Sequence, residues 1–457
     1  MGKINVNGVF PNLAVKAKHL PARTETGIGA LMPWADKLWF ITYVSHKKNT
    51  GDGTGLFYID DDFNLFKHPE SRVGTYANRM IHHESNKLII GPHTIDIDGK
   101  VSTFEELVDI RLAGVSRHLY EPERKVYFLG MEGELFEGDV YTLKVNFLFD
   151  LNKILEIEGR PHFKDIYCDH GRVVVVNNSY YYEDFERGYS DGRLAEWDGK
   201  NWRIIERTQF NTLAGRCRGN LGRSIFAVGH DKASILFYVY LPQTDWVLYR
   251  LPRATHTQDH AWTTEWPRIR EVESERWLMD AGGMFYELPV MTYANKVWGV
   301  IPICRHLRII PDFCSWNGFL VLGGNQATPI NDDNPFVGQP QANLWFGKTD
   351  DLWQFGGKPA GWGGPWWDKK VNEGEFSEPF LIYGFEKKCL HISHKERSRK
   401  KFILEVDFRG DGIWKKFTEI ETKSSYAFYD FPDGFSAHWI RIVSFDKVTV
   451  TAQFFYN

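Results

Sequence analysis

No run of 18 or more apolar residues occurs, so the sequence has no segment suited to a membrane-spanning helix. Cysteine is scarce and unpaired in pattern. The five residues Cys168, Cys217, Cys304, Cys314 and Cys389 are an odd number without CxxC spacing, which excludes a disulfide framework and a cysteine-built zinc site. No excess of one charge exists either: 55 Lys plus Arg against 59 Asp plus Glu give a net charge of -4, so no global field draws a nucleic acid partner. Few windows keep apolar residues at helical spacing without a Gly or Pro, so strands must carry the fold. HExxH and P-loop patterns are missing. Met1 to Gly8 lacks the apolar stretch of an export signal, so the expected location is cytoplasmic as written, or periplasmic or secreted if a signal was trimmed.

Aromatic residues, in contrast, are abundant at 15%, with 17 Trp, 20 Tyr and 33 Phe, broken up by 41 Gly and 20 Pro. That mixture reads as many short strands joined by turns. A hairpin pattern recurs along the chain. Five copies open on a basic residue, and Arg79 to Leu88, Arg117 to Val126, Lys164 to Val173, Arg216 to Ile225 and Arg268 to Trp277 are each nine residues apart. Two further copies, Gly29 to Tyr43 and Asp312 to Gly323, lack the basic residue. Seven units of roughly 40 to 50 residues, each with space for four strands, predict an all-β fold, a seven-bladed β-propeller over residues 10–350. A pair of β-sandwiches is the alternative that hairpins alone leave open. Beyond the Gly- and Trp-rich stretch 356–367, alternating strands at Phe402–Phe408, Ser425–Tyr429 and His438–Val443 predict a C-terminal β-rich, sandwich-like module over 370–457, packed on the propeller.

In a propeller, residues at matching positions near the starts of the innermost strands form a ring at one mouth of the central channel. Here that ring would hold Arg79, Arg117, Lys164, Arg216 and Arg268. Clustered cations repel one another unless carboxylates or a bound anion compensate, so the ring predicts an acidic ligand. The competing structural role is pairing with nearby acids such as Asp165, Glu84 or Asp312. Arg grips a carboxylate bidentately, and Trp and Tyr offer flat faces to sugar rings, so a uronic-acid-bearing glycan satisfies both features. Histidines near strand ends supply candidates for proton transfer: His46 and His68 on the face of Arg79, with His118 and His260 near other strand ends.

The strings Thr26-Gly27-Ile28-Gly29-Ala30-Leu31-Met32-Pro33-Trp34, Ala77-Asn78-Arg79-Met80-Ile81-His82, Leu307-Arg308-Ile309-Ile310-Pro311-Asp312-Phe313-Cys314 and Leu344-Trp345-Phe346-Gly347-Lys348-Thr349-Asp350 resemble the seven-bladed propeller family that removes terminal L-rhamnose from α-1,4-linked D-glucuronic acid in arabinogalactan side chains. Trp277-Leu278-Met279-Asp280 and Ala437-His438-Trp439-Ile440-Arg441 extend the resemblance through the tail. Members of that family are described both as rhamnose-glucuronate lyases and as α-L-rhamnosidases. The resemblance implies a catalytic histidine at His46, although the loop Val44 to Gly53 is longer and more basic than the family pattern. The expected reaction is β-elimination on a rhamnose-capped glucuronic acid glycan, with no nucleic acid or membrane partner. Arg79 and Arg117, with Arg216, would neutralise the carboxylate; His46 or His68 would take the C5 proton; a histidine, Tyr43 or Tyr120 would protonate the departing oxygen. Ca²⁺ could share in carboxylate neutralisation, but no DxDxDG run places it, and no metal ligands are assigned. Hydrolysis of the same linkage, or uronate binding without turnover, are the two alternatives.

Overall fold

The computed structural model describes residues 7–16, 26–44, 53–181, 190–215, 224–255, 266–274, 276–289, 296–326 and 341–457. The fold is all-β, a seven-bladed β-propeller with a C-terminal β-sandwich-like appendage. The first blade runs Thr26–Trp34, Lys37–Val44, Gly55–Ile59 and Leu65–Lys67, each strand paired with the next. The second to sixth follow the same in-order plan, and their innermost strands are Arg79–His82, Leu112–Arg117, Phe163–Asp169, Gln209–Gly215 and Arg268–Glu273. The seventh consists of Phe313–Trp316, Phe319–Gln326 and Gln341–Gly347, and the N-terminal strand Gly8–Val9 completes it as an outer strand.

Turn chemistry explains why these segments fold back. The two-residue links Ala35-Asp36, His170-Gly171 and Asn317-Gly318 all carry positive φ at both positions, as a type I′ hairpin turn requires. Other links differ in length: residues 83–86 join the first two strands of the second blade, and residues 118–124 those of the third. That inequality matters below, because a fixed spacing to the second strand then marks different heights on the first.

By contact, the chain separates into two compact units, one comprising Met1–Leu213, Thr264–Val272 and Arg308–Asp351, the other Ala214–Thr263, Glu273–Leu307 and Leu352–Asn457. Within the first unit, the core between blades is aromatic and aliphatic. Trp39, Tyr76, Phe104 and Phe128 are buried together, and Val173 to Val176 are all buried because neighbours cover both faces of that strand. Each such side chain contributes about 1.5–3 kcal/mol on burial. The register of the first blade slips between Ile28 and Ala30, and a Cβ added at Gly29 would stand 1.8 Å from the Tyr76 carbonyl oxygen. Gly29→Ala is therefore expected to destabilise the protein by about 3 kcal/mol, read as a lower urea midpoint; an unchanged midpoint would contradict this packing.

In the second unit, Gly361–Val371, Val448–Tyr456, Lys388–His394 and Tyr426–Asp430 form one sheet of the appendage. Phe380–Leu381, Trp439–Ser444, Lys401–Asp407 and Lys415–Glu421 form the other, which continues from Asp245–Leu251 through a parallel pair at Arg250 and Phe380. Trp366, Phe402, Phe380 and Phe454 fill the space between them.

Candidate functional site

Arg79 and Arg268 are the first residues of their innermost strands and Lys164 is the second of its own. All three belong to the first compact unit. Two buried carboxylates organise the cations around them. Asp312 Oδ2 accepts from Arg79 Nε at 2.8 Å and from the Leu31 N–H at 2.9 Å, and its Oδ1 accepts from Arg270 Nε at 2.7 Å. Although burial opposes ionisation, the Arg270 and Arg79 guanidinium groups hold the Asp312 carboxyl well below the usual carboxylate range. Asp165 is satisfied differently, accepting from the Leu213 and Ile166 N–H groups at 2.9 Å each and from the Thr212 hydroxyl at 3.1 Å. Burial raises its pKa, against the pull of Arg268 and Arg270.

Arg268 stands apart. It is 2% exposed, its guanidinium donates to its neighbour's carbonyl at Pro267, and among the described residues no carboxylate lies within ion-pair distance. Burial first, then repulsion from Arg270, pull its pKa down to about 10, so it is still charged at neutral pH. Instead of an acid it faces Trp266, with Cζ 5.0 Å from the ring centroid, and Lys164 Nζ lies 4.0 Å from that same centroid. Tyr43 meets Trp266 at 5.3 Å and a tilt of 32°, with Ala77 beside them. Two buried guanidinium groups thus share the Asp312 carboxylate, while a third, Arg268, has no ion pair among the described residues and flanks an indole face. Such an arrangement can bind an oxyanion attached to an apolar-faced ring.

The other expected site residues fall elsewhere. Arg117 is the last residue of its strand, paired with Val126 at the turn end, and its Nη2 donates to Glu84 at 2.5 Å. The seven-residue turn that follows it, against four in the second blade, shifts the equal spacing along the strand and corrects its place in the ring. His118 and Tyr120 lie in that same turn: His118 is buried with Nε2 3.2 Å from Glu137, and Tyr120 is exposed beside Gly199. Neither is brought to Lys164 or Arg268. His68 follows the outermost strand of the first blade, where its ring packs on Trp39 and Tyr58 and its Nδ1 accepts the Glu70 N–H. Burial lowers its pKa. The sequence expectation had it approach Arg79; the link from outermost to innermost strand keeps it among the outer strands. Arg79 itself is tied to Asp312. His46, Arg216 and His260 lie outside the described residues.

Sequence reasoning missed Trp266, Arg270 and His162. Trp266 and His162 each stand two residues before a ring cation, a signal visible once Arg268 and Lys164 are singled out. Burial and the charges of Lys164 and Arg111 hold His162 well below the usual histidine range, so it is neutral; Asn178 is its side-chain partner. Among the described residues no group of three or more His, Cys, Asp and Glu could hold a metal ion, and the oxygens of Asp165 and Asp312 are taken by N–H, O–H and guanidinium donors that would repel Ca²⁺.

No protein-family model matches the chain, and neither does any curated protein. Among solved structures it is similar to the luciferin-regenerating enzyme (10% identity, TM-score 0.35, 75% of this chain and 95% of that one). It is also similar to the Cps50 (Swd1) β-propeller domain of Myceliophteria thermophila (10% identity, TM-score 0.40, 73% and 98%) and to the WD40 β-propeller domain of Doa1 (10% identity, TM-score 0.39, 75% and 100%).

Proposed function

We propose that this protein is a carbohydrate-active enzyme that releases terminal L-rhamnose from α-1,4-linked D-glucuronic acid by β-elimination. The observation that carries the reading is the buried Arg268 guanidinium, with no ion-pair partner among the described residues, against the Trp266 face, with Lys164 on the same ring. In this reading the two cations hold the glucuronate carboxylate and the indole supports the pyranose. Neutralising the carboxylate acidifies the neighbouring C5–H, where negative charge develops. A neutral histidine, His46 by family resemblance, takes that proton; the C–H electron pair forms the C4=C5 double bond, the C4–O4 bond breaks, and O4 leaves with rhamnose. Tyr43, whose ring packs beside Trp266, returns a proton to O4 in this reading.

The test is incubation with a rhamnosyl-glucuronide while following free rhamnose and the ultraviolet band of a conjugated unsaturated acid. Both should rise together, and His46→Gln should abolish both. Rhamnose without the band moves the activity to hydrolysis; binding without release leaves a glycan-binding propeller.

A further inference from the structure

Among the described residues a second guanidinium has no carboxylate within ion-pair distance. Arg308 lies on the segment entering the innermost strand of the seventh blade, five residues before Phe313–Trp316, in the same compact unit as Lys164 and Arg268. Arg79, Arg193, Arg250 and Arg270 each reach a carboxylate within 2.7–2.9 Å. Arg308 does not. Its Nη2 donates to the Asn343 side-chain oxygen at 3.2 Å, while its Nε is buried with no hydrogen-bond partner among the described residues. Burial alone lowers its pKa, with no acid opposing the shift. The strand opposite leaves room for this pair: a Cβ at Gly324 would stand 3.0 Å from Arg308 Nη2 and 2.3 Å from Asn343 Oδ1.

A desolvated guanidinium without an acid is costly to keep, and the cost is offset when an oxyanion meets its fork. We propose that Arg308, steadied by Asn343, is an anion-binding group that takes the carboxylate of an acidic sugar. The choice of a sugar carboxylate rests on the function proposed above; the anion site does not. The half-buried position suits a ligand arriving from solvent, and the planar fork suits a carboxylate better than a lysine would.

The experiment compares wild type, Arg308→Met and Arg308→Lys by calorimetry and thermal unfolding with glucuronate, glucose and sulfate at matched ionic strength. Glucuronate should bind and stabilise the wild type where glucose does not. Arg308→Met should unfold at the wild-type temperature or above without ligand; in an Arg268→Met background, which removes the carboxylate site proposed above, it should weaken the remaining glucuronate binding about 10- to 100-fold. Arg308→Lys, which retains charge but not the fork, should lie between. Unchanged glucuronate affinity on adding Arg308→Met to that background, with lowered unfolding temperature, would make the residue structural and overturn the proposal. So would a wild type that responds to neither anion. A wild-type response to sulfate but not glucuronate, lost in Arg308→Met, would support the anion site and overturn the acidic sugar.

Discussion

Asp312→Asn is expected to destabilise the protein by about 3–5 kcal/mol, because it strands two buried guanidinium groups around a neutral amide. The amide oxygen can still accept the Leu31 N–H, so the loss measures charge rather than backbone satisfaction. Urea denaturation reads it directly, and combining the substitution with Arg79→Met and Arg270→Met should recover part of the loss. A single substitution within about 0.5 kcal/mol of wild type would contradict the shared ion pair. The pH dependence has a definite sign. The Asp312 carboxyl is depressed in the folded state from an ordinary value of 3.8, so its stabilisation is complete above that pH and erodes as pH falls below it. Asp165 behaves oppositely: its raised folded pKa favours the protonated form, and its contribution is lost as pH rises through that value. Below pH 4 the wild type should lose stability more steeply than Asp312→Asn.

Arg268→Met is expected to lower kcat/KM toward a rhamnosyl-glucuronide by about 100- to 1,000-fold, the usual effect of deleting one preorganised group that stabilises developing negative charge. Its stability should be unchanged or increased, since the guanidinium is buried with no ion-pair partner among the described residues. Arg117→Met gives the contrasting pattern, near-normal turnover and at most a modest loss of stability, because Arg117 is engaged by Glu84 at the turn end of its strand. Equal kinetic damage from both substitutions would mean that position on the strand does not define the site.

How far the sequence carried this picture depended on the kind of signal. Hairpins were legible from the recurring strand pattern, and their turns at Asn317-Gly318 and His170-Gly171 obey backbone demands that belong to local chemistry. Seven such units and their strand order follow from repetition, and the two-sheet appendage from the alternation in strands such as Lys401–Asp407 and Trp439–Ser444. The ring was legible only in part. A spacing of nine residues places Arg79 and Lys164 near strand starts, but the same spacing puts Arg117 at a strand end once turns differ in length. Pairing of Arg79 with Asp312 and of Arg117 with Glu84 was among the alternatives the sequence left open, and geometry chose it. Trp266 joins the cations only through tertiary approach, because Lys164 and Trp266 are about a hundred positions apart in the chain.

Crystals soaked with a non-cleavable rhamnosyl-glucuronate analogue offer the most direct trial. Electron density should place the uronate carboxylate within hydrogen-bonding distance of both Lys164 and Arg268, with its pyranose ring against Trp266. Density for the analogue on any other surface, with Arg268 left facing the indole as it is now, would contradict the assignment of these cations to substrate.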